Sequence, residues 1–119
     1  MFKSIEDVRK YIEDTIKAYS KEFCASRYSI RYSNRQRRAL ATTVTSYMMG
    51  QPYKLEFIFN NKYIASYEDY EEDIKDTVLH EIAHAIVGGI HHHDCVWKAC
   101  CNKIGAEPTR SKAIRLKYN

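Results

Sequence analysis

The chain has 119 residues and a mass of 14.0 kDa, enough for one hydrophobic core and not for two, so a single domain over 1–119 is expected, with a tail at 109–119. Apolar residues make up 45% of it, which excludes a disordered chain, and no apolar run approaches a membrane span in length. The net charge of +4 is modest and does not by itself assign a partner.

Met1 to Lys10 contains no signal-peptide core, and a cytoplasmic protein without a membrane partner is expected. Cys24, Cys95, Cys100 and Cys101 form no C-x-x-C pair, so in a reducing compartment they read as free, mostly buried thiols. Cys95 stands close enough to the histidines before it that a thiolate ligand is conceivable.

Residues 4 to about 23 read as a first helix. Ser4 with Asp7 forms a capping-box pattern, and Ile5, Val8, Ile12, Ile16, Tyr19 and Phe23 make an apolar stripe opposite a mixed charged face. Tyr28 to Tyr32 alternates as a half-buried strand does. Ala39 to Tyr47, rich in Thr and Val, and Leu55 to Phe59 read as two more strands joined by a turn at Gly50-Gln51-Pro52-Tyr53. Together they predict a small, mainly antiparallel sheet. Ser66 with Asp69 offers a second capping box for a helix running to Val87, and the acidic residues from Glu68 to Asp76 suit a helix start without any functional role.

That helix carries the chemistry. From Val78 to Val87 every residue is apolar except His80, Glu81 and His84. A helix apolar almost all round is a buried helix, and buried ionisable groups are costly unless something satisfies them. His80 and His84 stand one turn apart on one face, with Glu81 about 100° further round. This is the H-E-x-x-H arrangement of zinc peptidases, in which the histidines bind Zn²⁺ and the glutamate acts on water. A pair of core histidines satisfied by backbone carbonyls is the plainer reading, and the apolar surroundings argue against it.

A third ligand is needed. The histidine that would follow His84 by six positions in a metzincin is Ile90 here, and the expected glycine is Val87. Glu107, the acidic alternative, lies beyond Gly105 and beside Pro108, a poor helical platform. The cluster His91, His92 and His93 remains. Gly88-Gly89 lets the chain turn back, and Trp97, Cys100, Cys101 and Ile104 mark the apolar face of another helix beginning near Asp94. His93 stands at its start, where the packing of Trp97 would aim it.

The run His80-Glu81-Ile82-Ala83-His84-Ala85, then Gly88, then His93 four residues before Trp97, resembles the SprT-like (Spartan-type) zinc metallopeptidases. The resemblance covers about residues 25 to 107 and is strongest from Val78 to Gly105. It implies an α+β, zincin-like single domain: an N-terminal helix, a small sheet, the active-site helix, and a following helix with the third ligand. It also implies that His80, His84 and His93 bind Zn²⁺, that Glu81 is the catalytic residue, and that the substrate is protein bound or crosslinked to DNA. Many members carry a four-cysteine zinc ribbon after the peptidase part. No such set follows before Asn119, which puts functions resting on it in doubt.

With three neutral imidazoles as ligands, one coordination position stays open for water, as in a catalytic zinc site. Glu81 would take the water proton and return it to the leaving amine, while a sheet edge beside the helix would hold extended substrate.

Charge supplies the second signal. From Phe23 to Leu55 there is no Asp or Glu, yet Arg27, Arg31, Arg35, Arg37, Arg38 and Lys54 fall there, and the tail adds Lys103, Arg110, Lys112, Arg115 and Lys117. The five arginines are candidate contacts to DNA, single-stranded by preference, with Tyr28 and Tyr32 candidates for stacking on bases. Two alternatives stand beside this reading: a nucleic-acid-binding module with a structural zinc, and a peptidase with a specific protein target and no need of DNA. The oligomeric state is not legible.

Overall fold

The computed structural model describes residues 1–35, 39–88 and 94–106. Along the chain run α1 (Ile5–Tyr19), a 3₁₀ turn (Ser20–Glu22), β1 (Arg27–Ser33), β2 (Ala41–Met48), β3 (Gln51–Asn60), α2 (Asn61–Ala65), α3 (Tyr67–Val87) and α4 (Cys95–Ile104). The expected N-terminal helix, three strands, motif helix and following helix are therefore present in an α+β domain. The short α2 has no counterpart in the sequence reading.

The Ser4 cap is made as expected, its side chain accepting from the Asp7 amide, but the Asp7 carboxylate reaches back to the Lys3 amide. Val8, Ile12 and Ile16 form the fully buried stripe of α1. Ser66 makes no side-chain cap; it closes α2 and opens α3 with its backbone. A bend at Tyr70 follows, where φ is −125° and the ring packs edge-on against Tyr63.

The sheet has the order β1-β3-β2 and is mixed, not mainly antiparallel. β2 and β3 form a hairpin and must run antiparallel, whereas β1 lies on the other side of β3 and runs parallel to it. The turn sits two residues earlier than its sequence signals suggest. Met49 and Gly50 both take positive φ (52° and 79°), the geometry of a two-residue hairpin turn, and Met48 pairs with Gln51 around them. Pro52 lies within β3 beside a register shift and beyond the residues that β1 pairs, so its missing N–H costs the ladder little.

Registers assign the two faces. Tyr28, Ile30 and Tyr32 stand beside Leu55, Phe57 and Phe59, which in turn stand beside Thr45, Thr43 and Ala41. This face meets the helices: Leu55, Phe57 and Phe59 are fully buried with Ile74, Val78 and Ile82 of α3. The opposite face carries Arg27, Arg31 and Lys54, all exposed. A smaller cluster of Ala83, Trp97, Cys101 and Ala106 joins α3 to α4. Among the described residues, no helix is long and apolar enough to cross a membrane. All four cysteines are free thiols; Cys101 is buried, Cys24 and Cys100 half-buried, and Cys95 exposed, so the expectation of burial fails at Cys95.

Candidate metal centre

α3 holds the motif residues because both of its sides are covered. Ile74, Val78 and Ile82 press into the main core, while Ala83 packs on Trp97. Its C-terminus is fixed by Gly88, whose N–H bonds the His84 carbonyl at φ 92°, a conformation that favours glycine. The Cys24 amide then bonds the Ala85 carbonyl at 2.8 Å, tying the approach to β1 to the last turn of the helix.

His80 and Glu81 are buried, 5% and 8% exposed, and His84 is half-buried. The fully buried Trp97 walls both histidines: it stacks on His84, ring centroids 5.2 Å apart, and meets His80 edge-on at 5.3 Å. Trp97 is itself placed by Asp94, the N-cap of α4, whose side chain accepts the Trp97 amide. One turn before His80, a carboxylate oxygen of Asp76 lies 3.3 Å from the His80 Nε2. Asp76, His80 and His84 thus form a ladder at four-residue spacing along one helix face. The sequence reading absorbed Asp76 into an acidic helix start, but Glu68 and Asp69 alone occupy the first turn. The four-residue spacing to His80 is the signal that would have separated Asp76 from them.

Glu81 turns toward the sheet. The Thr43 hydroxyl donates to its Oε1 at 2.7 Å and stands 3.4 Å from its backbone carbonyl. Burial pushes the Glu81 carboxyl up to about 7, opposed by the Thr43 hydrogen bond. No sequence pattern pointed to Thr43, which is one threonine of several in a strand.

His80, Glu81 and His84 are therefore brought together. His91, His92 and His93 lie outside the described residues, and among the described residues no three His, Cys, Asp or Glu side chains form a set that would hold a metal ion. The donors present, two imidazoles with a carboxylate behind one and an aromatic wall beside both, fit two positions of a zinc site.

The cationic residues occupy another surface. Arg27 and Lys54 are register partners on the face turned away from α3, and Arg31 on that face pairs with Glu56 at 3.6 Å. Arg35 is exposed; Arg37 and Arg38 fall outside the described residues. Tyr28 and Tyr32 turn away from the sheet face that carries Arg27 and Arg31. Tyr28 packs against Phe23 and Phe57, and Tyr32 lies against Phe59, donates to Glu13 and is covered by the Arg9 guanidinium. Strand alternation turns both rings to the helix side.

The SprT-like family model matches residues 8–116. The chain belongs to the SprT-like family. No curated protein and no solved structure matches it. The match spans the sheet and the helices from Val8 onward, not just the motif helix of this SprT-like chain.

Proposed function

We propose that this SprT-like chain is a zinc-dependent endopeptidase that cleaves protein bound or crosslinked to DNA. The observation that carries the reading is the convergence on α3 of His80 and His84, walled by Trp97, with the buried Glu81 held by a hydrogen bond from the neighbouring strand. A purely structural metal site, closed by its own ligands, has no use for a further buried carboxyl beside them.

His80 and His84 would hold Zn²⁺, with His93 as the third ligand by family resemblance. Zinc there would polarise a peptide carbonyl and lower the pKa of water to about 7. Glu81 takes the proton of the attacking water and passes it to the departing amine. Among the described residues β2 is an edge of the sheet, and it carries Thr43 beside Glu81, so its outer edge is the place for an extended substrate to add as a further strand. Such docking suits unfolded segments of varied sequence, because main-chain groups supply the hydrogen bonds.

The DNA part of the proposal rests on family resemblance and on the exposed Arg27, Lys54, Arg31 and Arg35, the first three on the sheet face turned away from α3. The test is cleavage of a protein crosslinked to a single-stranded oligonucleotide, compared with the same protein uncrosslinked. Preference for the crosslinked substrate, lost in an Arg27→Glu/Lys54→Glu double variant, is expected. Equal cleavage of both would leave a peptidase without need of DNA. Full zinc loading with no cleavage of either would contradict the peptidase reading.

A further inference from the structure

We propose that Thr43 is a positioning residue for the Glu81 carboxylate: it holds Oε1 and thereby presents Oε2 as the atom that exchanges a proton with water. The inference rests on the peptidase reading and adds a residue that the motif does not contain.

The geometry is local and rigid. Thr43 lies within the uninterrupted part of the β2–β3 ladder, opposite the fully buried Phe57, between pairs Thr42↔Ile58 and Val44↔Glu56. A slip of one residue would turn its side chain to the other face, so the register that buries Phe57 and Phe59 also fixes where the hydroxyl stands. Its β-branch restricts χ1 and limits the hydroxyl's reach further. The hydroxyl donates its proton to Oε1 at 2.7 Å, an ordinary O–H···O hydrogen-bond length. The same hydroxyl stands 3.4 Å from the Glu81 backbone carbonyl, so two of its polar neighbours belong to this one residue.

A buried carboxyl needs a donor for stability alone, and a donor from anywhere would satisfy that need. The location of this donor says more. It sits on the edge strand whose outer side is the proposed substrate track, so the element that docks the peptide also aligns the base. Alignment within a fraction of an ångström is what separates a carboxyl near water from a working general base.

The test compares Thr43→Val, which keeps volume and branching without the hydroxyl, with Thr43→Ser, which keeps the hydroxyl without the methyl. Each protein is studied zinc-loaded on one fluorogenic protein substrate. Loss of an orienting partner typically costs roughly 10- to 100-fold, so Thr43→Val is expected to lower kcat by that much with KM and zinc affinity unchanged, while Thr43→Ser stays near wild type. A readout independent of turnover accompanies it. With ¹³C label at the Glu side-chain carboxyls, the Glu81 resonance, assigned by its disappearance in Glu81→Gln, should move in Thr43→Val and stay in Thr43→Ser. If Thr43→Val folds poorly, Thr43→Ser against Thr43→Ala makes the same comparison with the methyl removed from both.

Wild-type kcat in Thr43→Val, an unmoved resonance, or equal losses in Val and Ser variants would each overturn the proposal. Absence of Glu81-dependent cleavage in the wild type would instead overturn the peptidase reading, and the two failures are told apart by which protein shows them.

Discussion

The Trp97 indole and the His84 imidazole lie face to face, centroids 5.2 Å apart and planes 25° from parallel. The same indole meets His80 at nearly a right angle, so one side chain from α4 braces both candidate ligands on α3. Because the chain has a single tryptophan, its fluorescence reports on this site alone. Titrating Zn²⁺ into metal-free protein should change Trp97 emission and saturate at one equivalent. The change should disappear in His84→Ala, and a titration with no change in emission would contradict the placement. Trp97→Ala should destabilise the fold by about 3–5 kcal/mol, as loss of a fully buried indole does, and Trp97→Phe by less.

Asp76 is expected to matter for metal affinity more than for folding. Its carboxylate, 3.3 Å from the His80 Nε2, biases the ring orientation. Outer partners of this kind typically contribute about 10- to 100-fold in affinity, so Asp76→Asn should weaken zinc binding by that order in a chelator competition. Unchanged affinity would make Asp76 a helix-surface residue and nothing more.

Glu81 makes the metal-free protein sensitive to pH in a direction that can be worked out. Its folded pKa is raised to about 7 from an unfolded value of 4.5, so the folded state holds the proton more tightly. The stability this gives is fully present below about pH 4.5 and is lost as pH rises through 7. The effect is on the order of a few kcal/mol between those limits. Urea unfolding with chelator present should therefore show wild type losing stability relative to Glu81→Gln over that window. A constant difference would contradict the burial argument.

On the cationic face, Arg27 and Lys54 stand side by side without an acidic register partner, whereas Arg31 is balanced by Glu56. Arg27→Gln and Lys54→Gln should each weaken binding to single-stranded DNA and reduce the salt slope by about 1. Arg31→Gln should do less. Melting temperatures should barely move, because these side chains are exposed. Binding that ignores all three substitutions would place the contact elsewhere.

What could be read from sequence followed from periodicity. The stripe of α1, the alternation of β1 and the nearly all-apolar turn around His80 each have one packing solution, and the structure adopts it. Strand direction is not legible in the sequence, because it depends on which strand of the hairpin β1 joins, and alternation is blind to that. Tyr28 and Tyr32 were placed among the arginines on proximity along the chain, although alternate strand residues face opposite ways. Thr43 and Asp76 were missed for different reasons. Asp76 sits on the ladder of the motif itself but within an acidic run that hid it. Thr43 reaches Glu81 across 38 residues of chain through a tertiary hydrogen bond, which no local pattern encodes.

The most direct test of the central claim is Glu81→Gln assayed with zinc content and proteolysis measured on the same preparation. The account predicts one zinc per chain in both wild type and variant, with cleavage in wild type alone. Equal cleavage by the two proteins would contradict the assignment of Glu81 as the base.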